Sequence, residues 1–243
     1  MTMKLNCDLG ESFGMWKMGL DEQVMPHIDM ANIACGFHAG DADVMANTLA
    51  LAKQYKVMVG AHPSYPDKQG FGRRSMAMSE KELTNCLHYQ IAAIDGVAKS
   101  LGIELEYVKP HGALYNDMMA KSDVRESILQ ALSGYYRPLK LMLQATPEIG
   151  RHKAHAKRFQ VEVLCEAFAD RCYADDGKLL SRSKAGAVHN KEKMLSQVKQ
   201  LKEQGTVTTI SGNTLSLAVD SLCVHGDNFE GVQAIEAIRE LIG

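Results

Sequence analysis

The chain has 243 residues, 46% hydrophobic and 23% charged, a composition that suits a globular protein with a sizeable core. Lysine and arginine number 27 against 29 aspartate and glutamate, a formal charge of -2 with the basic residues spread along the sequence, which argues against nucleic acid as a partner. No Pro-, Gly- or Ser-rich stretch divides the chain, so a single domain over residues 1–243 is expected.

In chain order, Met3 to Leu9 reads as a strand that delivers Asp8 and Glu11 at its end. A short helical piece at Asp21 to Met25 stops at Pro26, and Ile28 to Cys35 is a second strand, breaking at Gly36 into a turn that presents His38 and Asp41. Asp41 also has the place of a helix N-cap, for a helix through about Lys56. Val57 to Gly60 is a third strand, followed by His62 and a long loop with Arg73 and Arg74. A loop of that length in a compact fold is usually functional or mobile. Ser79 and Glu82 form a capping box that opens a helix ending at Gly102.

Leu105 to Val108 is the fourth strand, closed by Lys109, Pro110 and His111. A helix at Val124 to Leu132 and a fifth strand at Leu139 to Leu143 follow, and Pro147 starts a basic helix ending at His152 and His155, which reads as a solvated terminus. Val161 to Ala167 is the sixth strand, with Glu166 inside it and Asp170 and Arg171 after it. After a helix at Asn190 to Gln204, Thr206 to Ile210 and Leu215 to Val224 read as a hairpin whose second arm ends in His225 and Asp227. The last helix is Phe229 to Ile242.

Repeated strand, loop, helix units predict an α/β fold with a parallel sheet. Seven strands whose polar tails all come after the strand favour a closed or nearly closed TIM-like (β/α)7 barrel, with its active site in the loops at the C-terminal strand ends. The first residues lack the apolar core of a signal peptide and no apolar run approaches a transmembrane length, so a cytoplasmic protein is expected. Six cysteines without a C-x-x-C pair fit buried free thiols. Carboxylates beside histidines allow either a divalent metal with water as nucleophile or metal-free acid and base work. Arginines suit a substrate carboxylate or phosphate. Neither G-x-x-x-x-G-K-[ST] nor a helix-opening G-x-G-x-x-G after a strand is present.

The motifs N-C-D-L-G-E-S-F-G, N-I-A-C-G-F-H-A-G-D, G-A-H-P-S-Y-P-D with G-F-G-R-R, V-K-P-H-G-A-L-Y-N, E-x-F-A-D-R and C-V-H-G-D together resemble the LamB/YcsF family, from Asn6 to Asp227. The resemblance implies a distorted seven-stranded barrel akin to the glycoside hydrolase and polysaccharide deacetylase barrels. It further implies the A subunit of a bacterial 5-oxoprolinase, opening 5-oxoproline to L-glutamate at the expense of ATP, with Mg2+, beside separate B and C subunits; the missing nucleotide motif fits ATP bound by those partners. On this reading Asp8, Glu11, Lys109 and His111 are catalytic. His38, Asp41, His62, Arg73, Arg74, Glu166, Asp170, Arg171, His225 and Asp227 bind substrate. A divalent metal in this chain stays open; if present, its ligands are expected among Asp8, His38, His62 and His111. The alternatives are a metal-dependent, deacetylase-like hydrolase of a C–N or N-acyl substrate, and a non-enzymatic component that only binds partners.

Overall fold

The computed structural model describes residues 3–226 and 229–243. Strands β1 (Lys4–Leu9), β2 (Met30–Ala34), β3 (Met58–His62), β4 (Leu105–Val108), β5 (Lys140–Gln144) and β6 (Val163–Phe168) succeed one another around a cylinder, and β9 (Ser221–His225) closes it between β6 and β1. Every pairing in this barrel is parallel. A separate antiparallel hairpin is made by β7 (Thr206–Thr208) and β8 (Thr214–Ser216). The helices are α1 (Asp21–Val24), α2 (Ala42–Tyr55), α3 (Glu80–Ser100), α4 (Gly112–Ala120), α5 (Ser122–Ser133), α6 (Ile149–Lys157), α7 (Lys191–Gln204) and α8 (Phe229–Ile242). The expected barrel of seven parallel strands is therefore the one observed.

Alternation along the strands sorts the side chains into two layers. Leu5, Cys7, Ile33, Val59, Leu141, Cys165 and Leu222 join the helices in the main core. The intervening residues fill the cylinder, where Met30, Tyr107 and Met142 form a separate apolar cluster with Met58 and Leu164 against it. Gly60 makes room for this filling, since a Cβ there would lie 2.2 Å from the Tyr107 ring. Above Tyr107 the interior turns polar: its hydroxyl donates to Asn32 Oδ1 at 2.6 Å, and Asn32 Nδ2 donates to Asn6 Oδ1 and Asp8 Oδ1, each at 2.8 Å.

Local signals hold where the chemistry is local. The Ser79/Glu82 capping box is formed, and Asp41 caps α2 through the Val44 N–H. Two expectations are corrected. The arm from Leu215 to Val224 is not one strand: β8 pairs with β7, whereas β9 belongs to the barrel. Asp220 makes the break, because its carboxylate accepts from Cys165 N and its own N–H donates to Cys165 O, both at 2.8 Å, pinning the chain beside β6. The region after His111 holds an additional helix, α4, which buries Leu114, Tyr115 and Met118. Six cysteines are free and buried, as expected. Among the described residues no helix is long and apolar enough to cross a membrane.

Candidate active site

Asp8, His62, Lys109 and His225 stand at or just beyond the C-terminal ends of β1, β3, β4 and β9, Glu166 lies within β6, and Glu11, His38, His111 and Asp170 come from the loops that follow β1, β2, β4 and β6. Lys109 lies at the centre, 3% exposed, with Nζ 2.8 Å from Asp8 Oδ1 and 3.0 Å from Glu166 Oε2. Cys223 Sγ lies 3.2 Å from the same nitrogen. Burial opposes the ammonium charge, but the pull of Asp8 and Glu166 outweighs it and holds Lys109 well above the usual lysine range. Burial likewise works against the Asp8 carboxylate, and Lys109 and His62 overcome it, keeping Asp8 well below the usual carboxylate range. The pair is therefore charged at neutral pH.

On one side of Lys109 sits an imidazole cluster. His38 and His111 stack face to face, with centroids 3.7 Å apart and planes within 3°, and His62 meets both edge-on. His62 Nδ1 is 2.7 Å from Lys109 O and His111 Nε2 is 2.9 Å from Phe71 O. Burial, then neighbouring imidazoles, push His38 and His111 well below the usual histidine range, so both are neutral at pH 7. The 63–79 loop carries Phe71 O inward through two successive left-handed residues, Phe71 (φ +53°) and Gly72 (φ +64°). A Cβ at Gly72 would lie 2.8 Å from both His38 Cβ and His111 Cδ2, so only glycine lets the loop lie this close to the stack.

On the other side, His225 Nδ1 lies 3.0 Å from both oxygens of Asp170, and its ring stacks on Phe168 at 5.5 Å. A carboxylate accepts only, so Nδ1 carries the hydrogen and Nε2 is left as the ring's other nitrogen. His225 is the most open imidazole of the group, its side chain 15% exposed against 8% or less for His38, His62 and His111.

Asp41, Arg74 and Arg171, also singled out from the sequence, are bound into the loops around this centre. Asp41 spends Oδ1 on Val44 N (2.9 Å) and Oδ2 on Gly14 N (2.7 Å), capping α2 and anchoring the loop after β1. Arg74 pairs with Asp67 within its own loop, its side chain 64% exposed. Arg171 is buried and donates to Leu180 O and Ala187 O, tying down the stretch after β6. Arg73 lies over the Phe71 ring, 5.0 Å from its centroid. Asp227 lies outside the described residues.

Sequence reading passed over Asn6, Asn32, Tyr107 and Cys223, which form the floor under Lys109. Their signal was present, since each falls at an inward position of a strand. Cysteine and asparagine in an apolar run look like core filling until the facing strands are known. A cavity of about 540 Å³ opens at the opposite, N-terminal mouth, lined by Met3, Met58, Tyr107 and Leu164 among others. The convergent acids, imidazoles and lysine lie at the other end, so the chemistry rather than the size of the opening marks the site.

A closed parallel barrel with ionised and hydrogen-bonded side chains converging at the carboxyl ends of its strands has the layout of a barrel enzyme. This chain belongs to the LamB/YcsF family, whose model matches residues 3–243. It is 50% identical over 239 residues to a 5-oxoprolinase A subunit of Vibrio cholerae serotype O1, covering 98% of this chain and 96% of that protein. It is 51% identical to the 5-oxoprolinase A subunit numbered 2 of Pseudomonas putida, covering 98% and 93%. A crystal structure of a lactam utilization protein from Thermus thermophilus superposes with a TM-score of 0.90 at 34% identity, covering 99% of this chain and 96% of that one.

Proposed function

We propose that this chain is the hydrolytic subunit of a 5-oxoprolinase, opening 5-oxo-L-proline to L-glutamate with ATP, in a complex with B and C subunits. The names of the relatives supply the substrate and the expectation of partners. The observation that carries the chemistry is the charged Lys109 held between Asp8 and Glu166, with an Asp170-oriented imidazole beside it. A lactam carbonyl is a poor electrophile. Transfer of the ATP γ-phosphoryl group to its oxygen, assigned to the partner subunits, makes the ring carbon reactive and fits the absence of a phosphate-binding loop motif here.

In the steps assigned to this chain, water adds to that carbon and gives a proton to His225 Nε2, while Asp170 supports the imidazolium that forms. Lys109 stabilises negative charge on the oxygens of the tetrahedral carbon. Collapse breaks the ring C–N bond, the proton passes to the departing nitrogen as the glutamate amine, and the carbon is left as an acyl phosphate. A second water releases phosphate and the carboxylate. Arg73, at the edge of the imidazole cluster, is assigned to the substrate carboxylate. Asp8 and Glu166 hold Lys109 in place, and Arg171 positions the loop after β6.

The test is ATP-dependent glutamate release from 5-oxoproline by this chain alone and with its partner subunits. Activity is expected only in the assembled complex, and His225→Ala is expected to reduce it by about 10²–10⁴-fold, the usual contribution of a general base. Wild-type turnover by that variant would remove His225 from the mechanism. No glutamate from the complete assembly would remove the substrate. A second reading, a metal-dependent hydrolase of a C–N or N-acyl substrate, is favoured by one observation: Glu11, His38, His62 and His111 offer four ligand atoms within 4.8 Å of one another.

A further inference from the structure

The loop that leaves β1 turns outward two residues after Glu11. Four of the large apolar side chains exposed among the described residues, Phe13, Met15, Trp16 and Met18, fall within positions 13–18, with Met15 95% and Trp16 74% exposed. Single apolar side chains on a surface are ordinary, but a contiguous group marks an interaction site. The segment is also held in shape. Phe13 and Trp16 exchange both backbone hydrogen bonds at 2.9 Å, closing a two-residue turn over Gly14 and Met15. Gly14 N donates to Asp41 Oδ2 at 2.7 Å, Gly40 N donates to Ser12 O at 3.0 Å, and Ser12 Oγ accepts from Met18 N at 3.0 Å. A knob fixed in this way loses little conformational freedom when it is covered.

Its place ties it to the site. The turn is rooted at Glu11, whose Oε1 lies 3.2 Å from His38 Nε2. The Lys68 ammonium lies 3.8 Å from the Phe13 ring centroid, which sets the turn against the 63–79 loop, the loop that carries Phe71 O to His111. A body seated on Met15 and Trp16 therefore stands at the rim of the mouth that holds Lys109 and His225. Lys17 and Lys68, both exposed, give the knob a positive edge, and no acidic residue falls within positions 12–20.

The partner comes from the assembly proposed above, on which this assignment rests. An O-phosphorylated lactam released into solution is lost to water, which calls for the subunit that makes it to sit over this mouth. Tryptophan and methionine are enriched where protein surfaces meet, and tryptophan is among the residues that dominate binding energy there. We propose that the 13–18 turn is the docking knob for the partner subunit that phosphorylates the lactam, with Met15 and Trp16 entering an apolar recess on that subunit whose rim carboxylates face Lys17 and Lys68.

Trp16 is the only tryptophan in the chain, so 5-fluorotryptophan incorporation gives a single fluorine NMR line that reports on the turn. The labelled full chain is mixed with unlabelled B and C subunits, with assembly followed by size-exclusion chromatography and affinity by isothermal calorimetry. In the free chain the line is expected to shift between H₂O and D₂O, as an exposed ring does, and to be independent of chain concentration; in the complex it should move and lose that solvent shift. Met15→Ser combined with Trp16→Ser should weaken association by more than about tenfold, and Lys17→Glu should weaken it further. The melting temperature of the isolated double variant should stay close to wild type, because neither side chain is buried. Absence of a complex, or a complex in which the fluorine line keeps its free position, overturns the proposal. A line that moves with chain concentration alone would make a second copy of this chain the occupant and overturns it equally. A complex formed through the turn that releases no glutamate leaves this surface standing and removes the substrate, whereas glutamate release by an assembly whose affinity the double substitution does not change keeps the substrate and removes the surface.

Discussion

Lys109 carries its charge where burial opposes it, and it does so because two carboxylates share it. Lys109→Met would leave Asp8 and Glu166 facing each other in a dry barrel, at a cost of about 3–5 kcal/mol. Chemical denaturation should show this loss, and adding Asp8→Asn to Lys109→Met should recover part of it, because the second change removes one of the stranded charges. Asp41 presents the opposite case. Its two oxygens are committed to Val44 N and Gly14 N, so Asp41→Ala is expected to cost about 1 kcal/mol as a lost cap while glutamate formation by the complex keeps its KM for 5-oxoproline. A large KM increase would instead place Asp41 against the substrate.

Among the elements, α3 is joined to the segment leading into β5 by a single polar cluster. Asp95 on α3 accepts from Arg137 Nη2 at 2.6 Å and from the hydroxyls of Tyr135 at 2.9 Å and Tyr136 at 2.6 Å. Burial works against its charge, but these hydrogen bonds outweigh burial and keep its carboxyl below the usual range. A carboxylate with a depressed folded pKa contributes stability above its unfolded value, about 3.9, and loses that contribution as pH falls through the folded value. The stability difference between wild type and Asp95→Asn should therefore stay constant from pH 7 down to about pH 5 and shrink below about pH 4. Denaturant titrations across that range would measure it, and a gap that widened on acidification would contradict the assignment.

At the scale of the whole molecule, closure depends on the last strand. β9, which follows the β7–β8 hairpin in the chain, lies between β6 and β1, so neither half of the chain owns a finished sheet. We expect one cooperative thermal transition, with calorimetric and van't Hoff enthalpies equal. Removal of residues from Ser221 onward should abolish the transition altogether rather than lower it by a few degrees. Two resolved transitions would show that the barrel divides into separately folding parts.

The sequence by itself determined the first six strands, the parallel barrel they imply, the capping at Ser79 and Asp41, and the delivery of Asp8, Glu11, His38, His62, Lys109 and His111 to strand ends, because each of these is set by local periodicity, punctuation or capping. It could not determine which of those groups share a bond. That His62 and His111 face each other, that Cys223 and the asparagines of β1 and β2 floor the lysine, and that Leu215 to Val224 belongs to two different sheets are consequences of strand register and barrel closure. Those depend on contacts between residues far apart in the chain, 215 positions in the bond from Asn6 to Ser221, and no short window of sequence records them.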